Sequence, residues 1–211
     1  MIRLIPNILT LARFVLTVVF LFALSWTVEA RDKAQWLDIA TALFIIAGLT
    51  DIIDGHIARK WNVTTKFGRI MDPLADKALV CGAFICFAFL GIPATLLNLS
   101  ESALTILLWA VAAIITAREI IVTIVRQIAE SHGVNFAATI SGKLKMFIQS
   151  ITIVAIMVKT AHLPRALWAN WFVAVALLAT VIVTAVSLIA ALSPARRNPQ
   201  QPARKTPKPQ R

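Results

Sequence analysis

The chain has 211 residues, 59% of them hydrophobic and only 15% charged, with a mean hydropathy of +0.80. Soluble domains carry roughly 25% charged residues, so the composition excludes an ordinary soluble protein and predicts an all-α integral membrane protein of one domain. The net charge of +11 lies near the ends of apolar runs, which argues against a nucleic-acid partner and for anionic lipid or an anionic substrate.

A helix that crosses the hydrocarbon core needs about 20 residues, and by that measure six spans are predicted. The first runs from Ile5 to Ser25, followed by Trp26 as an interfacial residue. It has no small-residue cleavage site and reads as a retained helix. The second runs from Trp36 into Ala58, the third from Pro73 to Ile92 and the fourth from Ala103 to Val125. The fifth runs from Ser141 to Val158 and the sixth from Leu167 to Leu192. Cys81 and Cys86 lie five apart in one apolar run and read as core residues, neither a disulfide nor a metal pair. His56, His132 and His162 have no ligand spacing and read as loop or surface residues.

Six alternating spans put the polar stretches Thr50–Arg59, Thr116–Arg126 and Ser141–Lys145 on one side. That side also carries Arg3, Lys60, Lys66, Arg69 and the C-terminal tail. The other side carries Arg31, Lys33, Lys159 and Arg165, diluted by Glu29, Asp32 and Glu101. The bias of Lys and Arg places the polar side, and both termini, in the cytoplasm. Residues 1–192 form the membrane-embedded domain. Residues 193–211, rich in Pro, Arg, Lys and Gln, cannot bury a core and read as a disordered cytoplasmic tail. Its six basic residues either lie on anionic headgroups or serve only to fix topology.

The stretch Asp51–Asp76 then needs an explanation, because carboxylates at membrane depth are costly and mark sites. Asp51 and Asp54 are three apart and Asp72 and Asp76 four apart, so each pair shares a helix face. Gly68, a loop and Pro73 would let the chain turn between the pairs, with Pro73 in the first turn of the next helix. Two antiparallel helices would thus aim four carboxylates at one volume, where hard cations such as Mg²⁺ or Mn²⁺ relieve their repulsion. The alternative is an ion-paired cluster with Arg59, Arg69 and Lys77. Gly55 and Ala58 keep one face small, for a close ligand or for helix packing. Arg59 is either a phosphate fork or a snorkelling cation.

These residues fit D-x2-D-G-x2-A-R-x8-G-x3-D-x3-D at all eight fixed positions: Asp51, Asp54, Gly55, Ala58, Arg59, Gly68, Asp72 and Asp76. The chain thereby resembles the CDP-alcohol phosphotransferases, which join a CDP-activated donor to an acceptor alcohol and release CMP. The resemblance implies a six-transmembrane-helix bundle with the active site on the cytoplasmic side, and a homodimer. It implies that Asp51, Asp54, Asp72 and Asp76 bind two divalent ions, Mg²⁺ or Mn²⁺, and that Asp76 is the general base. Gly55, Ala58, Arg59 and Gly68 would contact the CDP part, and Asn7 and Thr10 would either join them or bond to a neighbouring helix.

The acceptor rests on other residues. Arg118, Arg126, Lys143 and Lys145 lie in the cytoplasmic parts of the fourth and fifth spans. Arg118 and Arg126, eight apart, fall roughly on one face and could hold an acceptor phosphate, or else snorkel. Glu119, adjacent to Arg118, is expected to pair with a nearby Lys or Arg, although adjacent helical residues do not face each other. Pro6-Asn7-Ile8-Leu9-Thr10 with Arg13, Asp72-Pro73-Leu74-Ala75-Asp76-Lys77, Arg118-Glu119 and Gly142-Lys143-Leu144-Lys145 resemble the bacterial phosphatidylglycerophosphate synthases of this family, with Met146 a departure from their usual Thr. That resemblance implies CDP-diacylglycerol as donor, sn-glycerol 3-phosphate as acceptor and a bacterial inner membrane as location. Rival readings are a cardiolipin, phosphatidylinositol phosphate or phosphatidylserine synthase of the same family. A divalent-cation transporter is the rival from another class; it would not need Gly55, Ala58, Arg59 and Gly68 at fixed distances.

Overall fold

The computed structural model describes the backbone of residues 5–61, 66–93, 99–131 and 140–192, and the side chains of 11–50, 75–93, 99–129, 142 and 144–192. All the regular structure there is helical. Six helices follow one another: α1 (Ile5–Trp26), α2 (Lys33–Trp61), α3 (Lys66–Leu90), α4 (Glu101–Ser131), α5 (Ile140–His162) and α6 (Leu167–Leu192).

Local chemistry fixes several of the ends. Asp32 precedes α2 and its Oδ1 accepts the Gln35 N–H at 3.2 Å, satisfying one of the orphan donors of the first turn. Ser100 does the same for α4, accepting from the Ala103 N–H at 3.3 Å, and Glu101 adds a carboxylate to that first turn. Helix α3 stops where Gly91 takes φ +60°. The Ile92 N–H then donates back to the Phe87 carbonyl at 3.0 Å, a Schellman closure that only a residue free to adopt positive φ makes cheaply.

Helix α3 starts seven residues before Pro73, so Gly68 and Pro73 lie within the helix and not in a connecting turn. The helix start expected at Pro73 is therefore displaced to Lys66. A proline inside a helix removes one backbone hydrogen bond and costs about 3 kcal/mol in a soluble helix. Helices packed in a membrane bundle tolerate it because neighbouring groups re-satisfy the freed carbonyl. Helix α5 likewise continues past the expected end at Val158, which leaves Lys159 buried in the bundle.

The helices close into a ring. α1 packs on α2 and α3, α2 on α5, α5 on α6, α6 on α4 and α4 on α3, while a contact between α3 and α5 crosses the middle. Phe20, Phe44, Phe84, Phe87, Ile115 and Ile153 belong to one continuous core inside it. α1, α3 and α5 begin, and α2, α4 and α6 finish, at the same end of the ring.

The surface chemistry is that of a protein in lipid. α6 buries Asn170, Thr180, Thr184 and Ser187 among small and aliphatic residues, and exposes Trp168, Trp171, Phe172, Val175, Leu178, Ile182, Val186 and Ile189. An outer face more apolar than the inner one would be unfavourable in water. In a bilayer it is the expected order, since polar side chains bond between helices and aliphatic ones meet the acyl chains. Thr152 and Thr180 share a hydrogen bond of 2.9 Å across α5 and α6, and Gln149 Nε2 donates to Thr184 at 3.3 Å. Among the described residues, Glu101–Ala129, Leu144–His162 and Leu167–Leu192 are long and apolar enough to cross a membrane. Trp26, Trp36, Trp168 and Trp171 gather where α1 ends and α2 and α6 begin, as an aromatic belt does at a bilayer surface.

Candidate active site

The four signature aspartates stand on two consecutive helices: Asp51 and Asp54 on the last three turns of α2, Asp72 and Asp76 in the first half of α3. Both helices pack on α1. At the helical rise of about 1.5 Å per residue, Asp51 is about 15 Å from the end of α2 and Asp76 about 15 Å from the start of α3. Both pairs thus belong to the same end of the ring. Asp76, half-buried, is the one whose side chain is described; those of Asp51, Asp54, Ala58, Arg59 and Asp72, with Gly55 and Gly68, lie outside the described residues, as do Asn7, Thr10 and Lys143.

Beside Asp76 is a polar network that joins four helices. Lys77 Nζ on α3 donates to Thr123 Oγ1 on α4. Thr123 Oγ1 in turn donates to the Glu119 carbonyl one turn back, at 2.5 Å. The Glu119 carboxylate uses one oxygen, Oε1, for two cations: Arg118 Nη1 at 2.9 Å and Lys145 Nζ from α5. Arg118 Nε reaches the other way and donates to Ser187 Oγ on α6 at 3.1 Å. Ser187 is oriented for this by donating its own proton to the Thr184 carbonyl at 2.9 Å. Arg118, Glu119 and Lys145 are 8%, 9% and 5% exposed, so all three charges are buried. Through Lys77, the neighbour of Asp76, this network links the carboxylate stretch to the basic residues of the later helices.

The expectations about individual residues divide accordingly. Arg118 and Lys145 come together, held by Glu119. Arg126 is exposed; eight residues place it about 12 Å further along α4 than Arg118. Glu119 pairs with a Lys and an Arg, as expected, but the Arg is its neighbour Arg118, against the expectation that adjacent residues do not face each other. Their Cβ atoms diverge, but the long guanidinium side chain folds back to the carboxylate. Lys77, considered as part of an ion-paired cluster with the aspartates, donates to Thr123; the other cations of that cluster, Arg59 and Arg69, lie outside the described side chains. Cys81 is buried and Cys86 half-buried, both as free thiols. His162 lies on the surface, as expected, where its Nε2 is 2.8 Å from Asp38 Oδ1.

The sequence model of the CDP-alcohol phosphatidyltransferases matches residues 3–186, nearly the whole of the described bundle. The chain belongs to that family.

Curated relatives narrow the comparison within the CDP-alcohol phosphatidyltransferases. A protein of Mycobacterium tuberculosis (strain ATCC 25618 / H37Rv) named "probable phosphatidylglycerophosphate synthase" is 36% identical over 185 residues, covering 87% of this chain and 79% of the relative. A Bacillus subtilis (strain 168) protein named "CDP-diacylglycerol--glycerol-3-phosphate 3-phosphatidyltransferase" is 35% identical over 189 residues, covering 86% of this chain and 90% of the relative. A protein of Haemophilus influenzae with the same name is 32% identical over 151 residues, with 71% and 72% covered. Family membership sets aside the cation-transporter reading.

Three members of the network are not evident as site residues from the sequence. Thr123 and Ser187 look like ordinary polar interruptions of apolar helices. A usable signal lies in α6, where Thr180, Thr184 and Ser187 recur at helical spacing on one face. Glu119 stands out as a charge in an apolar run, but its partner Lys145 lies 26 residues away and only the fold brings it near.

Proposed function

We propose that this protein is a phosphatidylglycerophosphate synthase: it transfers the phosphatidyl group of CDP-diacylglycerol to sn-glycerol 3-phosphate and releases CMP. The observation that carries the acceptor assignment is the buried cluster of Arg118, Lys145 and Glu119, tied through Thr123 to Lys77, the neighbour of Asp76. It holds two cations against one carboxylate, a net charge of +1. An excess buried cation in a low-dielectric interior favours an anionic ligand, and a phosphorylated acceptor supplies one. The names of relatives that match most of the chain support the same reading.

In this reading Arg118 and Lys145 hold the acceptor phosphate, and Arg126 and Lys143 draw the anion in from the cytoplasmic rim. Asn7, Gly55, Ala58, Arg59, Gly68 and Thr10 surround the CDP part of the donor, where small residues permit close approach and Arg59 bonds to phosphate. Four carboxylates on two consecutive helices form a hard-oxygen donor set of the type that suits Mg²⁺ or Mn²⁺, so Asp51, Asp54, Asp72 and Asp76 would hold two such ions. Bound there, the ions would supply electrostatic stabilisation of the pyrophosphate and of the leaving CMP. The acceptor hydroxyl attacks the phosphatidyl phosphorus, giving its proton to Asp76, as the bond from that phosphorus to the CMP oxygen breaks. Positioning and charge stabilisation supply most of the catalysis of such transfers.

The same reading takes all six helices as spans, with the site and both termini cytoplasmic. Residues 1–192 form the catalytic domain and 193–211 a basic tail. The protein acts as a homodimer in a bacterial inner membrane.

The deciding experiment offers purified protein, Mg²⁺ and CDP-diacylglycerol to glycerol 3-phosphate, phosphatidylglycerol, inositol phosphate or serine, and measures CMP. Release with glycerol 3-phosphate is expected. Release only with phosphatidylglycerol would replace the acceptor assignment, and no release with any acceptor would remove the reaction.

A further inference from the structure

The carboxylate at the centre of the polar network has no assigned part in the chemistry. Glu119 is buried, and its Oε1 binds Arg118 and Lys145 at once. Without it, two like charges would stand side by side in an interior that screens them poorly. Its backbone carbonyl accepts from Thr123, and Thr123 accepts from Lys77, the neighbour of Asp76. One residue therefore fixes the spacing of two cations and ties them to the helix that carries the reactive carboxylate. Ser187 completes the geometry by taking the Nε of Arg118, so that the guanidinium is held from two sides.

We infer that Glu119 is a positioning residue for the anionic end of the acceptor: it holds Arg118 and Lys145 as a preformed pair at a fixed place relative to Asp76. The inference rests on the proposed reaction and adds to it a residue that touches neither substrate. Its role is specific to one substrate. A group that only supported the fold would affect donor and acceptor alike. Glu119, acting through two phosphate-binding cations, controls the acceptor alone. Holding the pair in place before binding lowers the cost of ordering it when the phosphate arrives.

The test is steady-state kinetics on the full-length protein, with CDP-diacylglycerol and glycerol 3-phosphate varied separately. Glu119→Gln keeps the shape and removes the charge. It is expected to raise the KM for glycerol 3-phosphate by about tenfold or more, the scale of coupling between contacting charged groups, with the KM for CDP-diacylglycerol unchanged. Glu119→Asp, which restores the charge, recovers part of that loss.

Glu119→Gln leaves two buried cations uncompensated and could prevent folding, so Glu119→Gln/Lys145→Met is made as well. The wild-type cluster has two cations and one carboxylate, and the double variant one cation and none, so both carry +1. Its acceptor KM is expected to exceed that of Lys145→Met by a smaller factor than Glu119→Gln alone exceeds the wild type, because only Arg118 then remains for Glu119 to hold. An unchanged acceptor KM in Glu119→Gln overturns the inference, and so does an equal rise in both KM values. A double variant whose KM exceeds that of Lys145→Met by as much as Glu119→Gln exceeds the wild type also overturns it. Absence of CMP release by the wild-type protein with glycerol 3-phosphate is a different failure, of the acceptor assignment beneath it.

Discussion

Glu119 and Lys145 are 26 residues apart in sequence and form a buried ion pair across the interior of the helix ring. The helices that carry them, α4 and α5, are not neighbours in that ring; both pack on α6. The pair thus links two elements that are not adjacent in the ring. Breaking a buried pair by removing one partner typically costs about 3–5 kcal/mol because the other charge is left uncompensated. Such a pair among four helices is a weak stabiliser of the fold and well suited to holding a charged ligand.

The first prediction concerns Arg118. Its guanidinium points two ways, Nε to Ser187 at 3.1 Å and Nη1 to Glu119 at 2.9 Å. Lysine keeps the charge but offers one compact ammonium, which cannot reproduce a fork held from both sides. Arg118→Lys is therefore expected to raise the KM for glycerol 3-phosphate by about tenfold while leaving the KM for CDP-diacylglycerol in place, the pattern of lost acceptor binding. Arg118→Ala does the same more severely. Equal effects on both substrates, measured by CMP release, would contradict the acceptor role.

A second prediction separates the carboxylates from the cations. Asp72→Asn keeps the size of the side chain and removes a charge from the proposed metal set. Turnover is expected to fall by roughly 10²–10³-fold or more, since charge stabilisation is the main contribution to this type of transfer. Chelation of divalent ions in the wild-type protein abolishes activity, and added Mg²⁺ or Mn²⁺ restores it. Thermal stability in detergent is the control: Asp72→Asn should leave it near the wild-type value, because a cluster of like charges does not stabilise the fold in the absence of cations.

Much of the fold is legible in the amino-acid sequence. The apolar runs have the lengths of spans, and each predicted span coincides with one helix, most helices running on beyond it. Lipid imposes that legibility: a backbone in hydrocarbon must satisfy its own hydrogen bonds, so apolar length translates directly into helix. The eight-position signature is equally plain, because its residues lie close together along the chain. What the sequence hides is anything decided between distant helices. Pro73 resembles a helix start, yet α3 accommodates it in its interior. Arg118 and Glu119, as adjacent positions, should diverge, yet a long side chain crosses the gap. Arg126 shares the charge of Arg118 but is exposed, whereas Arg118 is buried and bonded to Ser187 of α6.

The third prediction addresses how the later helices are held. Thr152 Oγ1 and Thr180 Oγ1 are 2.9 Å apart between α5 and α6, both in buried positions. Hydrogen bonds between membrane helices average about 0.6 kcal/mol. Thr152→Val and Thr180→Val are each expected to lose about that much in a reversible unfolding measurement in detergent. The double variant should lose less than the sum, since the bond the two hydroxyls share is lost in each single variant and can be lost only once. Strict additivity would show that the two hydroxyls contribute independently.

The last prediction compares two glycines that the sequence treats alike. A Cβ on Gly82 would lie 2.9 Å from Cδ2 and 3.0 Å from Cδ1 of Leu21, so α3 approaches α1 closely at that point. Nothing lies within 4 Å of a Cβ on Gly48 in α2. Alanine at position 82 could be met by a turn of the flexible Leu21 side chain. Leucine could not, because its branches extend into space that Leu21 already fills, and overpacking of that type costs about 1–3 kcal/mol. Gly48→Ala instead gains helix propensity without a clash, up to about 1 kcal/mol. Thermal unfolding in detergent should therefore fall for Gly82→Leu and hold or rise for Gly48→Ala. The variant Gly82→Leu/Leu21→Ala, which vacates the volume, should recover much of the loss. If it does not, the close approach of α1 and α3 is not what restricts position 82.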